Sequence, residues 1–274
     1  MSIFLSCQRS EKITSSETVL PAQSHLNISY GQDSLQRMDI HLPAGRNLDS
    51  TKSIVLIHGG GWNGGSKNDF APYIDTLKKR LPGYALFNLD YRLVNGGNVF
   101  PSQENDIKAA MEFISNNSSR YNINENNLVL LGASAGAHLA LLQAYKYNSP
   151  KVKAVIDFFG PVDLVTMYND PWHQLVPYAL QMITGGTPET NNSIYHNSSP
   201  VNFISSQSAP TLIFHGGNDN VVDISQSRLL KNKLTSAGIK HEMVVYPKER
   251  HGWYGHSLTN SFDRIEEFLF KTVH

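Results

Sequence analysis

Cysteine is nearly absent from this sequence, whose 274 residues include a single one, Cys7. An intrachain disulfide is therefore excluded as a source of stability. Neither sign of charge is in excess, since 23 Lys and Arg residues balance 23 Asp and Glu residues. A chain with no net charge and no long basic run lacks the electrostatic footprint that nucleic-acid binding requires. We therefore expect no nucleic-acid partner.

Long apolar runs are missing as well, and no stretch approaches the roughly 20 residues that a membrane-spanning helix needs. With 40% hydrophobic residues the chain can nevertheless bury a substantial core. We expect a soluble globular protein. The histidines also lack a metal-ligand pattern, because His251 and His256 are neither four residues apart nor separated by the glutamate of a zinc helix. No metal site is predicted.

The N-terminal segment differs in composition from the rest of the chain. We predict a flexible tail over residues 1–24 and one domain over residues 25–274. The tail begins MSIFLSCQRSEK, in which three apolar residues shortly precede Cys7 and a polar stretch follows. This resembles the end of a bacterial lipoprotein signal, with Cys7 as the site of a lipid anchor on an exported protein, although the apolar part is short and lacks basic residues before it. A plain disordered terminus on a cytoplasmic protein is the alternative.

Predicted strands and helices alternate from Ser53 onward, which favours an α/β fold with a mainly parallel central sheet and helices on both faces. Two alternating segments, HLNISYG and LQRMDIHLP, add two earlier strands. The later strands are predicted in SIVLIHGGGW, YALFNLDYRL, NLVLLGAS, VKAVIDFFGP, PTLIFHGGND and KHEMVVYP. A long stretch over residues 161–210 is predicted to be an irregular, lid-like insertion, or else a surface excursion that packs on itself.

The segment Gly132-Ala133-Ser134-Ala135-Gly136 is G-x-S-x-G between a predicted strand and a predicted helix. Such a turn is tight, so residues near the serine must lack bulk, and the serine projects from its apex. The N-terminus of the following helix directs unpaired N–H groups towards whatever the serine binds. We predict that Ser134 is a nucleophile, with a helix-capping serine in a packed turn as the alternative.

A glycine-rich loop, HGGGW, follows an earlier strand. Successive glycines allow N–H groups to point into a cavity, as stabilisation of a tetrahedral oxyanion requires. We predict that the N–H groups of Gly60, Gly61 and Ala135 form an oxyanion hole, and that His58 only supports the loop. The glycine spacing also fits a dinucleotide-binding fingerprint, but the predicted helix begins too late to meet a pyrophosphate.

The carboxyl ends of parallel strands collect ligand sites, and two further candidates end later strands. His251 follows the last strand and Asp219 the strand before it. The order Ser134, Asp219, His251 is that of α/β-hydrolase triads, in which histidine is the base and the carboxylate orients it. The other candidates are given lesser roles: support for His215, helix capping for Asp223, a structural anchor for Arg92, and more distant catalytic positions for His256 and Asp163.

Taken together, these motifs resemble the α/β-hydrolase superfamily. Within it they are similar to esterases with an HGGGW oxyanion loop, namely the hormone-sensitive-lipase-like group and bacterial feruloyl and acetyl-xylan esterases. The resemblance extends from about Ile28 to the C-terminus and includes LDYRL, LLGASAGAHLAL and HGW. It implies an α/β-hydrolase fold, a Ser-His-Asp triad, an oxyanion hole, no cofactor and carboxylic-ester substrates. Ala137 departs from the pattern, because relatives often carry glycine there.

We therefore predict a serine carboxylesterase that acts on short-chain or carbohydrate-linked esters, such as acetyl or feruloyl esters. A peptidase or aryl formamidase with the same triad is the alternative, and a non-catalytic binding protein or a dinucleotide-binding oxidoreductase is a more remote one. Five aromatic side chains are candidates for the substrate pocket: Trp62, Phe100, Trp172, Trp253 and Tyr254.

Overall fold

A computed structural model describes residues 19–274 of the chain. Cys7, the predicted lipidation site, and most of the predicted tail lie outside these residues. The first strand begins at Gln23, two residues before the predicted start of the domain. Just before it, Leu20 O accepts a 2.8 Å hydrogen bond from Gly45 N, so residues next to the strand are attached to the domain as well.

Eight strands form one sheet, in the order β1-β2-β4-β3-β5-β6-β7-β8. The first two strands pair antiparallel, β2 pairs antiparallel with β4, and all the other pairs are parallel. This confirms the predicted, mainly parallel α/β sheet. The strands are β1 (Gln23–Ser29), β2 (Arg37–Leu42), β3 (Lys52–Ile57), β4 (Tyr84–Leu89), β5 (Leu128–Ala133), β6 (Val152–Phe158), β7 (Thr211–Gly216) and β8 (His241–Tyr246).

Strand β3 shows how the sequence supplies a core to both faces of this sheet. Ile54 and Leu56 belong to one buried cluster, whereas Val55 and Ile57 belong to the other. A strand that is apolar at consecutive positions is buried on both faces, because successive side chains point to opposite sides. The sheet is therefore covered by helices on both faces, as predicted.

The two faces carry different helices. Helices α1 (Ile74–Arg80) and α9 (Gly255–Phe270) pack on one face. Helices α2 (Ser102–Asn116), α4 (Ala135–Leu142) and α8 (Ser225–Ser236) pack on the other face, and the short α3 (Ser118–Tyr121) follows α2.

The insertion over residues 161–210 is not irregular, and this prediction was wrong. It contains the helices α5 (Leu164–Asn169), α6 (Val176–Thr184) and α7 (Asn192–Asn197), followed by a 3₁₀ turn, Pro200–Phe203. These helices have only six to nine residues each, so few positions repeat and helical periodicity does not stand out in the sequence. Tyr195 of α7 is fully buried, which ties the insertion to the main core.

Membrane-spanning helices and clusters of metal ligands are both missing from residues 19–274. No helix in this part of the chain combines the length and apolar character that crossing a membrane requires. No group of three or more His, Cys, Asp or Glu side chains within the same residues is arranged to hold a metal ion.

Candidate active site

Ser134 occupies a sharp turn between β5 and α4. Its backbone has φ 54° and ψ −119°, a conformation that an L-residue adopts only under strain. The turn is held by a 2.8 Å hydrogen bond from Ser134 N to Phe158 O and by the first helical bond, from His138 N to Ser134 O. Its side-chain hydroxyl makes no hydrogen bond to any other residue of the described chain, and its role as a nucleophile stays a prediction.

The small residues around the serine are required by close backbone approaches. A Cβ atom at Gly136 would lie 2.0 Å from Ile57 O, and one at Gly132 would lie 2.4 Å from the carbonyl carbon of Gly136. Both distances are far inside van der Waals contact. A Cβ on Gly59 would lie 3.3 Å from Ser134 Cβ, so the glycine-rich loop also closes directly onto the turn. The predicted reason for the glycines, tight packing that presents the serine, agrees with these distances.

Asp219 and His251 are brought together by the loops after β7 and β8. Asp219 Oδ2 lies 2.7 Å from His251 Nδ1, and its other oxygen accepts the N–H groups of Val221 and Val222 at 2.8 and 3.0 Å. His215 Nε2 lies 3.4 Å from the same Oδ2. Burial on its own raises the pKa of Asp219. The hydrogen bonds from His215 and His251 and the charge of His251 lower it by more than burial raises it, so the net pKa lies below its usual value.

The Asp219 contact also determines which His251 nitrogen is available. With Nδ1 directed at the carboxylate, Nε2 is the atom free to accept a proton. Phe159 packs against the imidazole with ring centroids 4.4 Å apart. No hydrogen bond joins His251 to Ser134 within residues 19–274. Such bonds often form only when substrate is bound, so the serine–histidine pairing stays a prediction.

The glycine-rich loop contains two N–H groups without a hydrogen-bond partner in the described chain. Gly60 and Gly61 both have positive φ, 106° and 59°, and Gly60 O accepts hydrogen bonds from Asn63 N and Gly64 N. Within the described chain, the N–H groups of Gly60, Gly61 and Ala135 donate no hydrogen bond to another residue. Ala135 is the first residue of α4, so its N–H has no partner inside the helix. None of the three predicted donors therefore has an acceptor within the described chain.

Two histidines support this loop, and only one of them was predicted. His58 Nδ1 donates to Gly59 O at 2.7 Å and its ring stacks on Tyr91, in agreement with a supporting role. His138, on α4, accepts a 3.2 Å hydrogen bond from Trp62 Nε1 through Nδ1 and donates from Nε2 to Ser198 O at 2.7 Å. Complete burial lowers its pKa to about 4. A histidine four residues after the serine in an otherwise apolar helix was the available signal.

The other candidate residues have structural roles. Asp223 accepts a 2.8 Å bond from Ser225 N beside α8, and Asp163 caps α5 by accepting from Val165 N and Thr166 N. Arg92 binds the buried Asp106 through Nε and Nη2, with the shortest contact at 2.6 Å, which agrees with a structural anchor.

The glycine loop is followed by a 3₁₀ turn beginning only at Lys67, so the helix start that dinucleotide binding needs is absent there.

An apolar cavity of about 190 Å³ opens beside these groups. Trp253 and Tyr254, two of the five aromatic residues predicted to contact substrate, line it, and the contact itself stays a prediction. Trp62 and Phe100 are 7% and 1% exposed and pack in the core against His138, so they do not line the cavity. Trp172 packs against the same core, and no residue of the insertion lines this cavity. The prediction that Trp62, Phe100 and Trp172 line a substrate pocket is therefore corrected: all three side chains pack against the core.

The sheet order, the strained serine turn after β5 and the Asp–His pair after β7 and β8 define the α/β-hydrolase fold class. Residues 38–234, more than half of the chain, match the BD-FAE family model. The chain belongs to the BD-FAE family.

Curated relatives and solved structures agree with this assignment. A probable carboxylic ester hydrolase, LipM of Mycobacterium tuberculosis, is 27% identical and matches 80% of this chain and 53% of its own length. The isoprenylcysteine alpha-carbonyl methylesterase ICME of Arabidopsis thaliana is also 27% identical, over 84% of this chain and 56% of its own. The chain thus spans about half the length of these relatives. A truncated form of a carbohydrate esterase from gut microbiota superposes with a TM-score of 0.78 at 27% identity, covering 91% of this chain and 95% of the other.

Proposed function

We propose that this protein is a serine carboxylesterase that hydrolyses short-chain or carbohydrate-linked esters, such as acetyl or feruloyl esters, through an acyl-enzyme intermediate. One observation carries the proposal. A strained serine at a helix N-terminus lies at the same edge of the sheet as a buried carboxylate that holds a histidine by a 2.7 Å contact. A protein that only packs or binds has no need for this combination.

In the proposed first step, Ser134 Oγ attacks the ester carbonyl carbon while His251 Nε2 takes the hydroxyl proton. The tetrahedral oxyanion accepts hydrogen bonds from the N–H groups of Gly60, Gly61 and Ala135, whose donor capacity is not used elsewhere in the described chain. The imidazolium then gives its proton to the departing alkoxide, and the acyl group remains on Ser134. Asp219 orients His251 and stabilises its charged form.

The second step reverses these roles. Water gives its proton to His251 as it attacks the acyl carbon, and the proton then passes to Ser134 when the acid leaves. The low pKa of Asp219 keeps it ionised throughout, so the carboxylate remains an acceptor towards the imidazolium. No cofactor takes part in either step.

Support for ester substrates comes from the relatives. The curated matches are named as carboxylic ester and methyl ester hydrolases, and a 27% identical structure is named as a carbohydrate esterase. Trp253 and Tyr254 are the substrate contacts we propose, because they line the cavity beside the serine turn.

The test compares the wild-type protein with Ser134→Ala and Ser119→Ala in hydrolysis of p-nitrophenyl acetate and butyrate, followed by acetylated xylan and methyl ferulate. Ser119 is exposed on α3 and makes no side-chain hydrogen bond in the described chain, so it is the matched control. We expect Ser134→Ala to lower kcat by at least about 10⁴-fold and Ser119→Ala to leave it unchanged. Equal rates for Ser134→Ala and wild type would contradict the proposal. Cleavage of amides or formamides but not esters would favour the alternative hydrolase classes.

A further inference from the structure

We propose that the apolar cavity between α1 and α9 binds the acyl group of the ester and selects an apolar acyl chain or ring over acetyl. This inference rests on the proposed function and adds the substrate half that the cavity takes. The cavity lies on the face of the sheet covered by α1 and α9, away from the insertion.

The cavity joins the candidate active site at one end and the hydrophobic core at the other. Gly59 and Ala133 form the end next to Ser134, and Leu77 and Ile265 come from the two helices that enclose it. Ser134 itself does not line the cavity, so a substituent on the carbonyl carbon that it attacks would enter this apolar space past Gly59 and Ala133. At Gly59 a Cβ would lie 2.9 Å from Ala133 O, so the glycine lets the loop pack closely on the serine turn at this end of the cavity.

The chemistry of the walls selects an uncharged, apolar occupant. Phe70, Phe158, Leu258 and Phe262 line the cavity, and its single charged lining residue among those described is Asp69. Asp69 is exposed and already accepts a hydrogen bond from Ser66 N, so it lies at the rim instead of in the interior. A carboxylate there also disfavours anionic acyl groups.

The volume separates acetyl from larger acyl groups. A dry protein cavity of about 150 Å³ holds a benzene ring. A cavity of about 190 Å³ therefore has room for one ring or a chain of similar size, whereas acetyl leaves most of it empty. The alcohol half of a carbohydrate-linked ester is polar and extended, so it fits solvent better than a cavity enclosed by two helices and a sheet.

The experiment measures kcat/KM for p-nitrophenyl acetate, butyrate and hexanoate with wild type, Leu258→Trp, Phe70→Ala and Leu229→Trp. Leu258 is a half-buried cavity residue on α9, so tryptophan there reduces the cavity volume. Phe70→Ala enlarges the cavity. Leu229 is half-buried on α8 and packs in the core on the opposite face of the sheet, which makes Leu229→Trp the matched control for side-chain size.

We expect wild type to prefer butyrate over acetate by about tenfold or more, because each methylene that enters an apolar pocket adds to transition-state binding. Leu258→Trp should reduce this ratio to within about threefold of unity, and Phe70→Ala should raise hexanoate relative to butyrate by a similar factor. Leu229→Trp should keep the wild-type ratio. Because the readout is a ratio between substrates, a general loss of folded enzyme does not imitate the effect, and Phe70→Ala decides the matter if Leu258→Trp does not fold.

A second comparison separates the acyl half from the alcohol half. Leu258→Trp should slow ethyl hexanoate hydrolysis and leave hexyl acetate hydrolysis unchanged relative to the control. The reverse pattern, a wild-type preference for acetate, or equal chain-length ratios in wild type and Leu258→Trp would each overturn the acyl assignment. If wild type instead hydrolyses none of these esters, the proposed function itself fails, so the two failures are distinguishable.

Discussion

Trp62 and His138 are joined by a buried hydrogen bond that connects the glycine-rich loop to α4. The indole Nε1 donates to His138 Nδ1 at 3.2 Å, and both side chains are nearly or fully buried. Replacing Trp62 by Phe leaves the imidazole acceptor without a donor. Replacing His138 by Leu leaves two groups without partners, the indole N–H and the Ser198 carbonyl.

The free energies follow from these lost partners. A buried polar group without a hydrogen bond costs about 1–3 kcal/mol. Trp62→Phe and His138→Leu each include this cost for the bond they share, whereas the double variant removes donor and acceptor together. Because each single variant leaves one of these two groups unpaired and the double variant leaves neither, the double variant should be destabilised by about 2–6 kcal/mol less than the sum of the two single variants.

Guanidinium unfolding of the four proteins measures this coupling. Trp172→Phe is the matched control, because Trp172 Nε1 is buried but makes no hydrogen bond within residues 19–274. We expect no coupling between Trp172→Phe and His138→Leu. Additivity of Trp62→Phe and His138→Leu to within about 0.5 kcal/mol would refute the reasoning. In parallel, kcat of Trp62→Phe should fall, but by less than the roughly 100-fold that losing an entire oxyanion donor produces.

Three further predictions follow from the charges and the packing. Asp219→Asn should lower kcat for p-nitrophenyl butyrate by about 10⁴-fold while the circular dichroism spectrum stays native, because the amide no longer holds His251 in the reactive tautomer; a loss below tenfold would contradict this role. Burial raises the pKa of Asp157 to about 7, while the unfolded value is about 4, so the contribution of Asp157 to the unfolding free energy should be lost as the pH rises from about 4 to about 7, against an opposite contribution from the lowered pKa of His138. In chemical unfolding across that window, the free energy of wild type should therefore fall relative to that of Asp157→Asn, and equal slopes would show that the carboxyl is not buried in its neutral form. Trp172→Ala should lower stability but leave the ratio of acetyl to feruloyl ester rates unchanged, and a changed ratio would return Trp172 to the substrate pocket.

The predictable parts of the fold and site depend on local sterics and on strand order. Positions 132 and 136 require glycine because backbone atoms approach within 2.0–2.4 Å of where a Cβ atom would lie. The G-x-S-x-G pattern therefore predicts the tight turn without any knowledge of the fold. Asp219 and His251 follow adjacent parallel strands, so their proximity follows from the alternation of strands and helices. Neither inference needs the position of a distant side chain.

The direction of the aromatic side chains could not be predicted in this way. Trp62 directly follows Gly60 and Gly61, the glycines predicted to belong to an oxyanion hole. Its own positive φ of 62° accompanies a ring that turns into the core towards His138. Phe100 packs against the same ring pair. The position of Trp62 next to the glycine-rich loop therefore suggested that its ring lines a pocket, whereas the rings of Trp62 and Phe100 both pack in the core.

The departure at Ala137 has a physical explanation in the same turn. A Cβ at Gly160 would lie 2.8 Å from the Ala137 methyl group and 2.7 Å from Asp157 Oδ1. The Ala137 methyl group on α4 therefore has room because the residue facing it after β6 is a glycine, Gly160. Gly160 N also donates a 2.8 Å hydrogen bond to Asp157 Oδ1. Strained backbone such as that of Ser134 costs about 1–3 kcal/mol and persists only where its surroundings over-determine it. The serine turn is surrounded by the ends of three strands, β3, β5 and β6. Because Gly160 makes room for the methyl group of Ala137, alanine at that position leaves this support unchanged.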